Sequence, residues 1–108
     1  MTPEVRNLFS APLPEGEGEI FQKVLEGGSF RLESIASRGE PSPEGFWYDQ
    51  PEPEWVILFA GSACLAFGTG ETLDLEAGDY LLIPSHLRHR VESVSEDAIW
   101  LALHFRGS

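Results

Sequence analysis

The sequence predicts an all-β domain, a sandwich or a barrel. Two observations carry that expectation. Turn signals recur at short intervals, among them "PEGEG" (14–18), "GG" (27–28), "RGEPSPEG" (38–45), "GTGE" (68–71) and "EAGD" (76–79). Between them lie short segments rich in Val, Ile, Leu and aromatic residues, too short for helices but ordinary for strands. Many short strands with regular turns are the pattern of sandwiches and barrels.

Taken in order, residues 1–18 read as an N-terminal arm and residues 19–108 as the domain. "IFQKVL" (20–25) and "SFRLESIAS" (29–37) flank Gly27-Gly28, a hairpin turn, although the first segment also reads as a two-turn helix ending at Gly27. In the second segment Phe30, Leu32 and Ser34 share one face, and Arg31, Glu33 and Ile35 the other. That mixed alternation suits an outer strand. "WVILFA" (55–60) is apolar on both faces and therefore central. "ACLAF" (63–67) and "TLDL" (72–75) follow, and "YLLIP" (80–84) stops at proline. "HRVESV" (89–94) alternates, and "AIWLALHF" (98–105) closes the chain as a buried strand.

With 108 residues there is room for one core. An apolar content of 42% argues against wholesale disorder. Seven Lys and Arg against eighteen Asp and Glu give −11, which makes nucleic acid and anionic membranes poor partners. A neutral or cationic small molecule, or a metal ion, is easier to attract. Cys64 is the only cysteine, so an intramolecular disulfide and a cysteine zinc site are excluded. The N-terminus lacks the pattern of a secretory signal, and no run approaches a membrane span, so the expected location is cytoplasmic.

Two stretches carry chemistry. In "GFWYDQPEPEWVILFAG" (45–61), Glu54 opens an apolar strand behind two prolines and is followed, after six intervening residues, by Gly61. In "GDYLLIPSHLRH" (78–89), Gly78, Pro84 and His89 are spaced by five and four intervening residues. These segments resemble the two signatures of the cupin superfamily, small antiparallel jelly-roll β-barrels with a ligand pocket inside. The first signature is degenerate: Tyr48 and Gln50 stand where its two histidines are expected, or Trp47 and Asp49 under the longer spacing. In the second, His86 stands at a glycine position and Ser93 replaces an asparagine.

The resemblance implies a divalent-metal site of three histidines and a glutamate, of which only Glu54 and His89 remain in kind. Gln50 or Asp49 can add an oxygen donor, for Mn, Fe, Zn or Ni, with the harder cations preferred. His86 can join Glu54 and His89 in a two-histidine, one-carboxylate face if its turn swings it inward. Trp47, Tyr48, Trp100 and His104 are candidate pocket residues. Aromatic residues in a small barrel are otherwise core, and Glu54 is otherwise paired with Tyr48 or Arg88. The expected function is small-molecule binding, with or without a metal; the family's reactions are too varied to choose one. The resemblance also implies a homodimer formed through the N-terminal strands.

Overall fold

The computed structural model describes residues 2–9 and 19–106. Much of the expected arm, residues 10–18, and residue 1 lie outside the described residues. Eight strands follow in chain order: β1 (Ile20–Glu26), β2 (Phe30–Ala36), β3 (Glu54–Ala60), β4 (Ser62–Phe67), β5 (Thr72–Glu76), β6 (Tyr80–Ile83), β7 (His89–Val94) and β8 (Ile99–Phe105). All pairings are antiparallel.

The strands form a five-stranded sheet, β1-β2-β8-β3-β6, and a three-stranded sheet, β5-β4-β7. The chain crosses between them after β3, β5, β6 and β7, which is jelly-roll wiring. Each crossing needs a sharp change of direction. At the β3–β4 corner Gly61 has φ 84°, and a Cβ there would lie 2.9 Å from Ala98 Cα. Only glycine meets both demands. Gly78, at φ 98°, turns the chain from β5 into β6.

One alternative is settled and one expectation changes. The 20–26 segment is the strand of a hairpin rather than the alternative helix, because β2 supplies it with an antiparallel ladder, interrupted by a register shift between Lys23 and Leu25. β1 is at the sheet edge, but β2 is not an outer strand: it pairs with β8 on its other side. The charged face of β2 was legible in the sequence, but it turns inward. Arg31 and Glu33 line the barrel interior, where they tolerate burial by pairing with each other.

Between the sheets lies an apolar core that includes Leu58 and Ala102, both fully buried, with Ile35, Val56, Leu65, Val91 and Trp100 around them. Alternation sets which residues enter it. On β3 the buried positions are Glu54, Val56 and Leu58; on β8 they are Trp100, Ala102 and His104. A glutamate and a histidine therefore share the inward faces of two strands that are otherwise apolar there.

Candidate functional site

Register brings these two polar residues together. In the β3–β8 ladder Glu54 lies opposite His104. His104 Nε2 is 3.6 Å from Glu54 Oε2. The other sheet supplies the second imidazole. Tyr48 bridges to His89 through Tyr48 N–H to His89 O at 2.7 Å and His89 N–H to Tyr48 O at 3.1 Å. This pins the start of β7, and His89 Nε2 comes within 3.4 Å of Glu54 Oε1. One carboxylate is thus held between two imidazoles. All three residues are buried.

His89 Nδ1 lies 2.9 Å from Leu87 O. A carbonyl only accepts, so the Nδ1 proton is fixed in place. Nε2 then faces a carboxylate, an arrangement that favours a second proton and an imidazolium. Burial alone would lower the His89 pKa. The Glu54 carboxylate, the Leu87 carbonyl and the charge of Glu19 together outweigh it and raise the pKa above its ordinary 6.5.

A stability prediction follows. With its folded pKa raised above 6.5, His89 stabilises the fold most below that pH, and the contribution is lost as pH rises through the folded pKa. Unfolding free energy should therefore fall between pH 6.5 and the folded value, and His89→Gln should flatten that slope. Urea denaturation across this range tests it. An unchanged slope in the variant would remove His89 as the cause.

The cluster floors a cavity of about 100 Å³. Its apolar wall includes Val56, Leu65, Ile83, Val91 and Trp100; its polar lining adds Tyr48, Gln50, Glu19, Arg31 and Glu33. Gln50 Oε1 is buried with no hydrogen-bond partner among the described residues, an acceptor open to a ligand donor. The Tyr48 hydroxyl donates to Glu19 Oε1 at 3.1 Å. Burial raises the pKa of Glu19, only partly offset by that bond. Burial and the nearby Glu19 charge raise Tyr48 as well, so its hydroxyl stays protonated.

Of the residues singled out in the sequence, Glu54, His89, Gln50, Tyr48, Trp100 and His104 line this cavity. Asp49, His86 and Trp47 are absent from its lining, and each has another engagement. His86 Nδ1 lies 2.8 Å from Asp49 Oδ1 at the surface, with both side chains about half exposed or more. His86 holds φ 62°, the left-handed conformation that a glycine adopts cheaply at this motif position, and its turn points the ring outward. Trp47 lies under the guanidinium groups of Arg88 and Arg90, 5.0 and 6.0 Å from its ring centre. Sequence reasoning missed Glu19, Arg31 and Glu33; the last two were signalled by the charged face of β2, and Glu19 by nothing.

The polar cluster on the cavity floor lies within a stretch, residues 37–104, that matches the cupin domain family over more than half of the chain. The chain belongs to the cupin superfamily. Its fold is similar to the crystal structure of "a putative mannose-6-phosphate isomerase" from Ralstonia eutropha JMP134, at 40% identity and TM-score 0.88, covering 97% of this chain and 100% of that one. A cupin superfamily protein from Desulfitobacterium hafniense DCB-2 aligns at 18% identity and TM-score 0.74, over 97% of this cupin and 94% of its own length. An RmlC-like cupin from Shewanella frigidimarina NCIMB 400 aligns at 17% and TM-score 0.71, over 85% and 79%. These last two show the fold alone. No curated protein sequence matches significantly.

The donor set does not fit the metal site that the family resemblance implies. Each imidazole addresses a different oxygen of one carboxylate. Among the described residues no three His, Cys, Asp or Glu side chains are placed to hold one ion. Tyr48, at one missing histidine position, is committed to Glu19. Cys64 adds no ligand: burial and the neighbouring Asp74 raise its thiol pKa, which disfavours the thiolate.

Proposed function

We propose that this cupin binds a small, uncharged, hydroxyl-bearing molecule, a sugar or similar polyol, inside its barrel through hydrogen bonds. The observation that carries the reading is the orphaned Gln50 Oε1 beside the Glu54–His89–His104 cluster, in a cavity otherwise walled by apolar side chains. Such a floor offers acceptors to ligand hydroxyls, and the apolar wall takes the carbon face of a ring. The name of the Ralstonia eutropha protein supports a sugar. The lining argues against its phosphate. Three glutamates, Glu19, Glu33 and Glu54, face the cavity, and the Arg31 guanidinium is already paired with Glu33. A dianion would meet acidic groups with no spare arginine among the described lining residues.

A second reading, proton transfer on a bound sugar, is favoured by the carboxylate held between two imidazoles, a unit able to accept and return a proton. Calorimetric titration with neutral aldoses, their phosphates and simple polyols tests the first reading; deuterium incorporation next to the carbonyl in heavy water tests the second. The expected outcome is saturable binding of a neutral sugar, unchanged after dialysis against EDTA and lost in Gln50→Leu. Preference for the phosphate, or at least tenfold tighter binding with added Mn, Fe, Zn or Ni, would overturn the proposal.

The homodimer is also proposed. Its support is apolar surface on the large sheet: Val24 and Leu25 on edge strand β1, and Phe59, Tyr80 and Leu82 on β3 and β6, are all exposed. Sedimentation at micromolar concentration should show two copies, and a monomer would remove this part.

A further inference from the structure

The barrel cavity does not end at its mouth. Glu19, Phe21 and Tyr48 line it on one side and, on the other, line a second pocket of about 270 Å³. The outer pocket is completed by Glu40, Pro41, Ser42, Pro43 and Phe46. It is the larger of the two spaces, and the Tyr48–Glu19 hydrogen bond stands at their boundary.

Its chemistry differs from that of the inner site. Pro41 and Pro43 have no N–H to offer. Ser42 is spent: its N–H donates to Val91 O at 2.9 Å, its hydroxyl accepts from Val91 N–H at 3.0 Å, and its carbonyl accepts from Arg90 at 2.9 Å. Phe46 N–H is used by Pro43 O at 3.0 Å. The Tyr48 hydroxyl is used by Glu19. Apart from the carboxyls of Glu19 and Glu40, what remains open to a ligand is mostly ring and pyrrolidine surface: Phe21 and Phe46 are 49% and 41% exposed. The Phe46 and Tyr48 rings meet edge to face, with centres 4.8 Å apart. Two prolines also hold the wall with little backbone entropy left to lose. Among the described residues the charged groups in this lining are the carboxyls of Glu19 and Glu40, which disfavour an anion.

We infer that the outer pocket is a second subsite of the same binding site, taking an aromatic or alicyclic substituent carried by the hydroxylated head that the inner cavity holds. The inference rests on the proposed inner-site reading for the identity of the head, but not for the apolar character of the tail. The ligand is then amphipathic and uncharged: a polar ring at the imidazole–carboxylate cluster and an apolar ring against Phe21 and Phe46.

The test uses the full chain and two kinds of probe. N-phenylnaphthylamine, a neutral dye that fluoresces in apolar sites, should saturate on the wild-type protein. Phe46→Ala or Phe21→Ala should weaken it about tenfold, the loss of one aromatic contact. Leu73→Ala, exposed on β5 of the small sheet and outside both pockets, should leave dye affinity unchanged. Phenyl β-glucoside should displace the dye and bind at least about tenfold more tightly than methyl β-glucoside. Dye affinity unchanged from wild type in both phenylalanine variants, or equal affinity of the two glucosides, overturns the second subsite. Dye binding that depends on Phe46 but no glucoside binding at all would instead overturn the inner-site reading and its sugar head, leaving an apolar subsite alone.

Discussion

Glu54→Ala is expected to lower the unfolding free energy by about 3 kcal/mol near pH 6 and to abolish ligand binding. Glu54 is buried, and its two oxygens face His89 Nε2 and His104 Nε2. Removing the carboxylate leaves two buried imidazoles without their partner. His89 then has nothing at Nε2 to favour a second proton, while the Leu87 carbonyl still holds the first. His89 can relieve part of the cost by losing its second proton, so the low end of the usual range for a broken buried pair applies. Glu54→Gln keeps the volume and removes the charge. It should cost less stability, yet bring the His89 pKa down toward or below 6.5. Urea denaturation gives the first result, and proton NMR of the ring signals gives the second. A His89 titration unmoved in Glu54→Gln would show that the carboxylate does not set it.

Trp100→Ala should be as damaging for a different reason, costing about 4 kcal/mol. Trp100 is 3% exposed on β8, paired across the ladders with Ile35 on β2 and Leu58 on β3. Those neighbours are strand residues whose backbones are fixed on both sides, so the void cannot close by collapse. Trp100→Phe should cost much less, about 1 kcal/mol. The indole Nε1 is buried with no partner among the described residues, and phenylalanine removes that donor along with part of the ring. Thermal unfolding of both variants separates the contributions. A Phe variant as unstable as the Ala variant would mean that the indole N–H is a needed donor, and the packing argument would fail.

His86 and His104 show where sequence reading stops. His86 stands in the turn before β7 and His104 within β8, and the second motif brought forward His86 as the candidate ligand. Yet His86 is turned to solvent against Asp49, whereas His104, fifty residues after Glu54, lies directly opposite it. A ladder register is a contact between distant segments, and no local pattern encodes which residue of β8 meets which of β3. Asp49 and Trp47 failed for a related cause. The alternation that puts Tyr48 at the cavity puts its neighbours outside, and the choice between two spacings needed the Tyr48–His89 bridge.

The eight strands were legible because turn residues and apolar runs are local properties, written in composition over a few residues. The inward aim of Glu54 and His89 was legible too, through two-residue periodicity on strands with a recognisable core face. Only tertiary structure decided that β2 lies inside its sheet, that Arg31 and Glu33 neutralise one another in the cavity, and that Glu19 reaches Tyr48. Those facts depend on which strands become neighbours, and pairing is selected by the energy of the whole barrel rather than by any one segment.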